Sequence, residues 1–162
     1  AVRVTGAFAA QEEVGTRGAT VTSQIVRPDW RLSLRAPRQM ISISVLPRPR
    51  GTCGAGVQIR RMDKSYISNP VFIEYAEELA KKFGIPFQET VRRGGSTNAG
   101  KISLTAKAVP VLVLGVPSRY VHTHYNFCAK ADLEAAADLA VEVIRGLDAE
   151  KIRHICRQDI LK

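Results

Sequence analysis

The chain has no apolar run approaching the roughly 18 residues that a membrane span requires, and its first residues lack the charged-then-apolar order of a secretion signal. Both absences point to a soluble, cytosolic protein. Cysteine is scarce: Cys53, Cys128 and Cys156 form an odd set without a C-x-x-C pair. That excludes a disulfide framework and a zinc knuckle, and leaves thiols in a reducing compartment. Acid is missing from one stretch in particular. Residues 30–50 hold Arg31, Arg35, Arg38, Arg48 and Arg50 with no Asp or Glu, so five charges of a net +9 sit in one short segment. Aromatics are missing beside them, since Trp30 stands alone, and without a stacking platform the positive charge does not read as a nucleic-acid surface.

What is present suits one domain. A chain of 162 residues can bury about two thirds of its unfolded surface if the domain is complete. Residues 2–10, VRVTGAFAA, have the β-branched and small apolar content of a buried strand. After Gly15 and Gly18, ATVTSQIVR predicts a short helix that stops before Pro28, because the residue before proline is pushed out of helical dihedrals. The strongest helix pattern is NPVFIEYAEELAKKFGIP. It has Asn69 as N-cap, Pro70 at the first helical position, Phe72, Tyr75, Ala76, Leu79 and Phe83 on one stripe, and Gly84 as terminator.

PFQETVR then reads as a strand and TNAGKISLTAKA as a helix opened by a glycine-rich turn. VPVLVLGVP, apolar throughout, is expected to be a strand covered on both faces. KADLEAAADLAVEVIRGL predicts a helix burying Leu133, Ala137, Ala140, Val141, Ile144 and Leu147. Alternating strands and helices argue a three-layer α/β domain over 1–148, followed by a polar tail at 149–162. The stretch 30–50 resists this reading, because strand-like alternation is mixed with Pro37, Pro47, Pro49 and uncompensated arginines.

Three pieces are candidates for one site: Glu12-Glu13, RRGGSTNAGK at 92–101, and GVPSRYVHTHYN at 115–126. The first and third follow candidate strands, and sites in open α/β sheets gather at the carboxyl ends of strands. Adjacent residues in extended chain point in opposite directions, so two neighbouring glutamates divide labour rather than chelate one ion. One carboxylate can bind a metal while the other accepts a proton from metal-bound water, with histidine as the further ligand.

QEEVGTRGA, GGSTNAGKISL, VPVLVLGVPSRYVHTH and DLEAAADLAVEVI, in that order, resemble the cytosolic dinuclear metallo-aminopeptidases that assemble into tetrahedral dodecamers. Some of those relatives carry glutamyl-aminopeptidase, deblocking-aminopeptidase or endoglucanase-like labels. The resemblance covers nearly the whole chain except 30–50 and the tail, and it corresponds to the C-terminal half of that family. It implies a mixed-sheet, zinc-peptidase-like fold lacking its N-terminal half, a divalent metal (zinc, with cobalt or manganese as alternatives; two ions in the complete site), a peptide substrate and a homo-oligomer.

By the same resemblance Glu12 is the general base, and Glu13 and His122 are ligands of one metal. Asn98, where relatives have aspartate, and His124 are the substrate-side candidates. The family's two earlier ligands, a histidine in an H-x-D motif and a bridging aspartate, have no counterpart in these residues. A third acid, expected at the end of the next strand, falls on Arg35.

A cation there excludes coordination at that position. One explanation is a degenerate, non-catalytic relative that serves as an assembly or interaction module. Another is a shifted reading frame: codons allowed for Trp30 to Ser44, read one base out of register, spell AIILEGTSADDIHI, which restores an acid. Glycoside hydrolysis ranks below peptide hydrolysis, because it needs two carboxyls astride one bond, about 5–10 Å apart. Two ligands hold a metal weakly, so the chain by itself is expected to be inactive or nearly so.

Overall fold

The computed structural model describes residues 2–35, 51–105 and 108–156. The elements run α1 (Arg17–Val26), β1 (Arg31–Arg35), β2 (Val57–Asp63), β3 (Tyr66–Ile67), α2 (Pro70–Lys82), β4 (Phe87–Val91), α3 (Asn98–Ser103), β5 (Val111–Gly115), β6 (Ser118–Arg119), β7 (Phe127–Cys128), α4 (Lys130–Gly146) and α5 (Ala149–Cys156). This is a mixed α/β fold. β1 lies parallel to β5, β5 antiparallel to β2, and β2 parallel to β4, with the short β3 turning back along β2. β6 and β7 form a separate two-stranded ribbon.

β5 is buried along its whole length, as its unbroken apolar run anticipates. Its side chains alternate between two cores. Leu112 and Leu114 join Val57, Ile59, Phe72, Ala136 and Leu139 on the α2/α4 side, while Val111 and Val113 join Ala19, Ala99 and Ile102 on the α1/α3 side. Helices therefore cover both faces, which gives three layers. Among the described residues no helix is long and apolar enough to cross a membrane.

α2 starts as its sequence dictates: Asn69 Oδ1 accepts from the Phe72 N–H at 3.1 Å, and Pro70 occupies the first turn, where its missing donor costs nothing. Gly84, at φ 65°, supplies the left-handed residue that ends it.

Three expectations need correction. Residues 2–10 form no strand; among the described residues they join no ladder, and Ala10 spends its carbonyl on the Gly18 N–H at 3.1 Å. A β-rich run becomes a strand only when a neighbour takes its hydrogen bonds. In α4 the buried stripe is Asp132, Ala135, Ala136, Leu139, Ala140 and Val143, with Leu133 and Val141 exposed. The cause is Asp132, whose carboxylate is drawn inward by the Gly54 and Gly56 N–H groups at 2.7 Å each. That anchor rotates the helix, and the alanines let it approach the sheet closely. Third, the tail contains α5, which buries Ile155 and is held by Asn69 Nδ2 donating to the Ile155 carbonyl at 2.8 Å. Of the anomalous stretch 30–50, residues 31–35 form β1, and 36–50 lie outside the described residues.

Candidate functional site

Glu12 and Glu13 stand on a turn built by local chemistry. Gln11 takes a left-handed conformation at φ 59°, the Glu12 carbonyl accepts from Thr16 N–H at 2.9 Å, and α1 begins immediately afterwards. Gly18 sets how tightly the loop folds back, since a Cβ there would meet the Ala10 carbonyl oxygen at 2.2 Å. The two neighbouring carboxylates part, as expected for adjacent residues. Glu12 Oε1 lies 3.0 Å from Arg35 Nη1, and Glu13 Oε2 lies 3.2 Å from His122 Nδ1.

One partner comes from a strand end and the other from the loop after β6. Arg35 closes β1 opposite Gly115, the last residue of β5, and its carbonyl accepts from Val116 N–H at 2.9 Å. The chain then runs through β6 into the loop 120–126, where Tyr120 and His122 adopt φ of 58° and 67°. Non-glycine residues at positive φ are held there only by their surroundings. Here Thr123 Oγ1 donates a hydrogen bond that ties the loop to the Tyr120 carbonyl at 2.6 Å. The Glu13–His122 pair is open to solvent, whereas the Glu12 and Arg35 side chains are only about a quarter exposed (26% and 22%).

Behind Arg35 the sheet carries a further cation. Arg60 is 3% exposed; burial, with the charges of Arg92 and Arg35, pushes its guanidinium down to about 10, and its ion-pair partner is Asp63 at 3.4 Å. The Nε atoms of Arg35 and Arg60 are buried without a hydrogen-bond partner among the described residues. Sequence reasoning singled out Arg35 but did not anticipate that it would grip Glu12. The signal lay in the lone cation expected to end a strand beside two acids.

Asn98 and His124 are not joined to these four residues by any hydrogen bond or ion pair among the described residues. Asn98 opens α3, which is positioned from elsewhere: Thr97 caps it through the Ala99 N–H, and Thr97 N–H donates to Ser65 Oγ at 3.2 Å, which itself donates to Asp63. The Asn98 Oδ1 is buried with no hydrogen-bond partner among the described residues. His124 is exposed. Among the described residues no group of three or more His, Cys, Asp or Glu side chains is placed to hold a metal ion.

One carboxylate, one imidazole and a neighbouring second carboxylate at the carboxyl ends of β1 and β5 form the arrangement that known proteins can be compared with. Residues 1–139 match the M42 glutamyl aminopeptidase family. A putative aminopeptidase of Acetivibrio thermocellus is 33% identical over 138 residues, covering 85% of this chain and 41% of the relative. The crystal structure of a TET aminopeptidase from a marine-sediment Thaumarchaeota archaeon superposes with a TM-score of 0.84 at 32% identity, covering 91% of this chain and 41% of that one. The Pyrococcus horikoshii TET1 peptidase, described as assembling into a tetrahedron or a large octahedral shell, superposes with a TM-score of 0.68 at 28% identity, covering 85% of this chain and 39% of that one. The chain thus spans about two fifths of the length of the relatives it matches. With the family matched across most of its residues and the fold shared with solved members, the chain belongs to the M42 glutamyl aminopeptidase family.

Proposed function

We propose that residues 1–162 carry part of the site of a metal-dependent aminopeptidase, with Glu13 and His122 as ligands of one divalent ion, zinc first among the candidates, and Glu12 as the group that handles protons beside it. The observation that carries this reading is the 3.2 Å approach of Glu13 Oε2 to His122 Nδ1, two residues from opposite parts of the chain. A carboxylate oxygen and an imidazole nitrogen are donors that zinc accepts.

The fit is partial. A catalytic zinc takes three protein ligands plus water, and two donors fall short of that. The neighbouring position holds a guanidinium paired with Glu12. These residues therefore do not complete a catalytic metal site. The missing donors belong, on this proposal, to sequence outside these residues. The 162-residue chain then releases amino acids from peptides poorly or not at all, and Asn98 and His124 remain substrate-side candidates in a completed site.

The Glu12–Arg35 ion pair favours a second reading, a module that kept the fold for assembly and lost the chemistry. Metal analysis separates the two. Zinc retained by the purified chain, and weakened in Glu13→Gln and His122→Ala, supports the first; zinc uptake indifferent to both substitutions sinks it. Metal-dependent turnover of aminoacyl p-nitroanilides at ordinary enzyme rates by the 162-residue chain overturns the expected inactivity.

A homo-oligomer in the cytosol is part of the proposal. Val4, Phe8, Val21, Ile25, Leu34 and Leu104 are exposed, and uncovered apolar side chains invite pairing with another chain. Sedimentation of the purified chain as a monomer at all concentrations contradicts this part.

A further inference from the structure

The three cysteines are present as thiols, but two of them lie on facing pieces of chain at the stem of the His122 loop. In the β6–β7 ribbon, Ser118 stands directly opposite Cys128. Opposed residues of an antiparallel pair have Cα atoms about 4.5–5.5 Å apart. Cys53 Sγ approaches this same place from the 51–56 loop: it lies 3.4 Å from the Pro117 carbonyl oxygen, one residue before Ser118. The Ala129 N–H, one residue after Cys128, is within reach of the same sulfur and favours its thiolate. The Cys53 sulfur is therefore flanked by the chain neighbour of Cys128 and by the chain neighbour of the residue facing Cys128. Cys156 sits apart on α5, with its Sγ 3.4 Å from the Asp29 carbonyl.

The loop that brings Cys53 there is pinned. Asp132, fully buried, takes the Gly54 and Gly56 N–H groups on its two oxygens. Since α4 begins two residues after Cys128, one short segment carries both the anchor and the second thiol.

We infer that Cys53 and Cys128 form a reversible disulfide that fastens the 51–56 loop to the β6–β7 ribbon. A disulfide requires Cα atoms within about 4.4–6.8 Å and converging Cβ vectors, and the Cys53 sulfur already lies against Pro117, whose chain neighbour Ser118 faces Cys128. The oxidant is a small disulfide such as oxidised glutathione. Cys128 is exposed and meets it first: its thiolate attacks one glutathione sulfur, the glutathione S–S bond breaks, and one glutathione leaves as thiolate. Cys53, whose thiol burial pushes up, is the slower partner and reacts second. Its thiolate attacks the Cys128 sulfur of the mixed disulfide and expels the second glutathione. Two protein thiols thus lose two electrons and two protons, and one glutathione disulfide becomes two glutathione thiols. The crosslink closes the stem from which residues 120–126 spring, so oxidation restrains the loop that carries His122.

The test uses the intact protein equilibrated with glutathione mixtures of increasing oxidised fraction, alkylated, digested and mapped by mass spectrometry. The expected result is that Cys156 alone is alkylated at the oxidising end, while the peptides of Cys53 and Cys128 are joined and lighter than their sum by two hydrogens. In Cys53→Ser, Cys128 stops at the mixed disulfide and gains one glutathionyl group. In Cys128→Ser, Cys53 stays alkylatable. Mixing isotope-labelled and unlabelled chains shows whether the bond lies within one chain. Alkylation of both thiols at every ratio, a bond only between chains, or a bond to Cys156 each overturns the inference. The map of the unsubstituted protein decides the matter even where a variant fails to fold.

Discussion

Arg35 Nη1 lies 3.0 Å from Glu12 Oε1, so a fixed positive charge sits beside the two carboxylates at the carboxyl end of β1. Two consequences oppose one another there. The guanidinium neutralises the glutamate pair, which favours the fold without metal, and it repels any divalent ion, which opposes binding. Arg35→Glu is therefore expected to lower the melting temperature in chelator and to raise it in zinc, since a ligand that binds only the native state stabilises it. Calorimetric titration should show zinc binding on the order of 10-fold tighter than in the unsubstituted chain, a change of the size that single partners of a metal site exert. Equal affinity in both proteins removes Arg35 from the site.

Gly18 transmits to the Glu12-Glu13 loop. A Cβ at this position has the Ala10 backbone at 2.2 Å, and backbone cannot swing away as a side chain can. Gly18→Ala is expected to cost about 1–3 kcal/mol, the range for forced overpacking. It should also weaken zinc uptake, because the displaced loop carries Glu13 away from His122. Unchanged denaturation midpoint and unchanged zinc binding together sink this account.

Asp132 is 0% exposed and holds two backbone donors at 2.7 Å each. Asp132→Ala leaves the buried Gly56 N–H without an acceptor, at about 1–3 kcal/mol for a buried group left unsatisfied, while the exposed Gly54 N–H can turn to water. Urea denaturation should show a loss of roughly 1–3 kcal/mol by that count. A loss under about 0.5 kcal/mol, within the surface-substitution range, shows the clamp to be dispensable.

The buried pair Arg60–Asp63 follows the opposite logic when both partners go. Asp63→Ala strands a buried guanidinium and also frees the Ser65 N–H and Oγ, both 2.8 Å from Asp63 Oδ1, so a loss of about 3–5 kcal/mol is expected. The double change Arg60→Met with Asp63→Leu should recover a large part of that loss. Equal losses in the single and double variants contradict the reading of a desolvated cation in need of its partner.

Tyr66 governs an alkaline limit. It is 6% exposed, and burial pushes its hydroxyl up to about 12, whereas an unfolded tyrosine ionises near 10. Folding thus favours the neutral form. The stability this confers is fully present below pH 10 and is lost as pH rises through 10 to 12. The difference in stability between the unsubstituted chain and Tyr66→Phe should fall across that window by roughly 2–3 kcal/mol, two pKa units at 1.36 kcal/mol each. A difference constant with pH rules the effect out.

Resequencing the gene across codons 30–44 tests the reading-frame explanation for the arginines and prolines of 30–50. An intact frame with the same residues ends it. A corrected frame replaces Arg35 by an acid, and the zinc affinity expected of Arg35→Glu then becomes that of the natural protein.

Much of the architecture was legible because its signals are local. The N-cap of Asn69, the proline after it and Gly84 beyond the last turn delimit α2 within a few residues of each other, and the unbroken run of β5 announces a strand covered on two faces. The convergence of Glu13 with His122 followed from ordered motifs rather than from periodicity. What escaped is non-local. Residues 2–10 carry strand-forming side chains but join no ladder among the described residues, the rotation of α4 depends on two glycine amides that only folding brings to Asp132, and α5 is held by the far face of the Asn69 cap.

By itself, then, the sequence determined most of the helices, the covered strand β5 and the cap of α2, because dihedral preference and apolar spacing are properties of neighbouring residues. Only the tertiary structure decided that Glu12 faces Arg35, and that the Cys53 sulfur comes to rest beside the Pro117 carbonyl. Those pairings depend on how strand ends and loops stack across the sheet, and long-range electrostatics and packing have no signature in the order of residues.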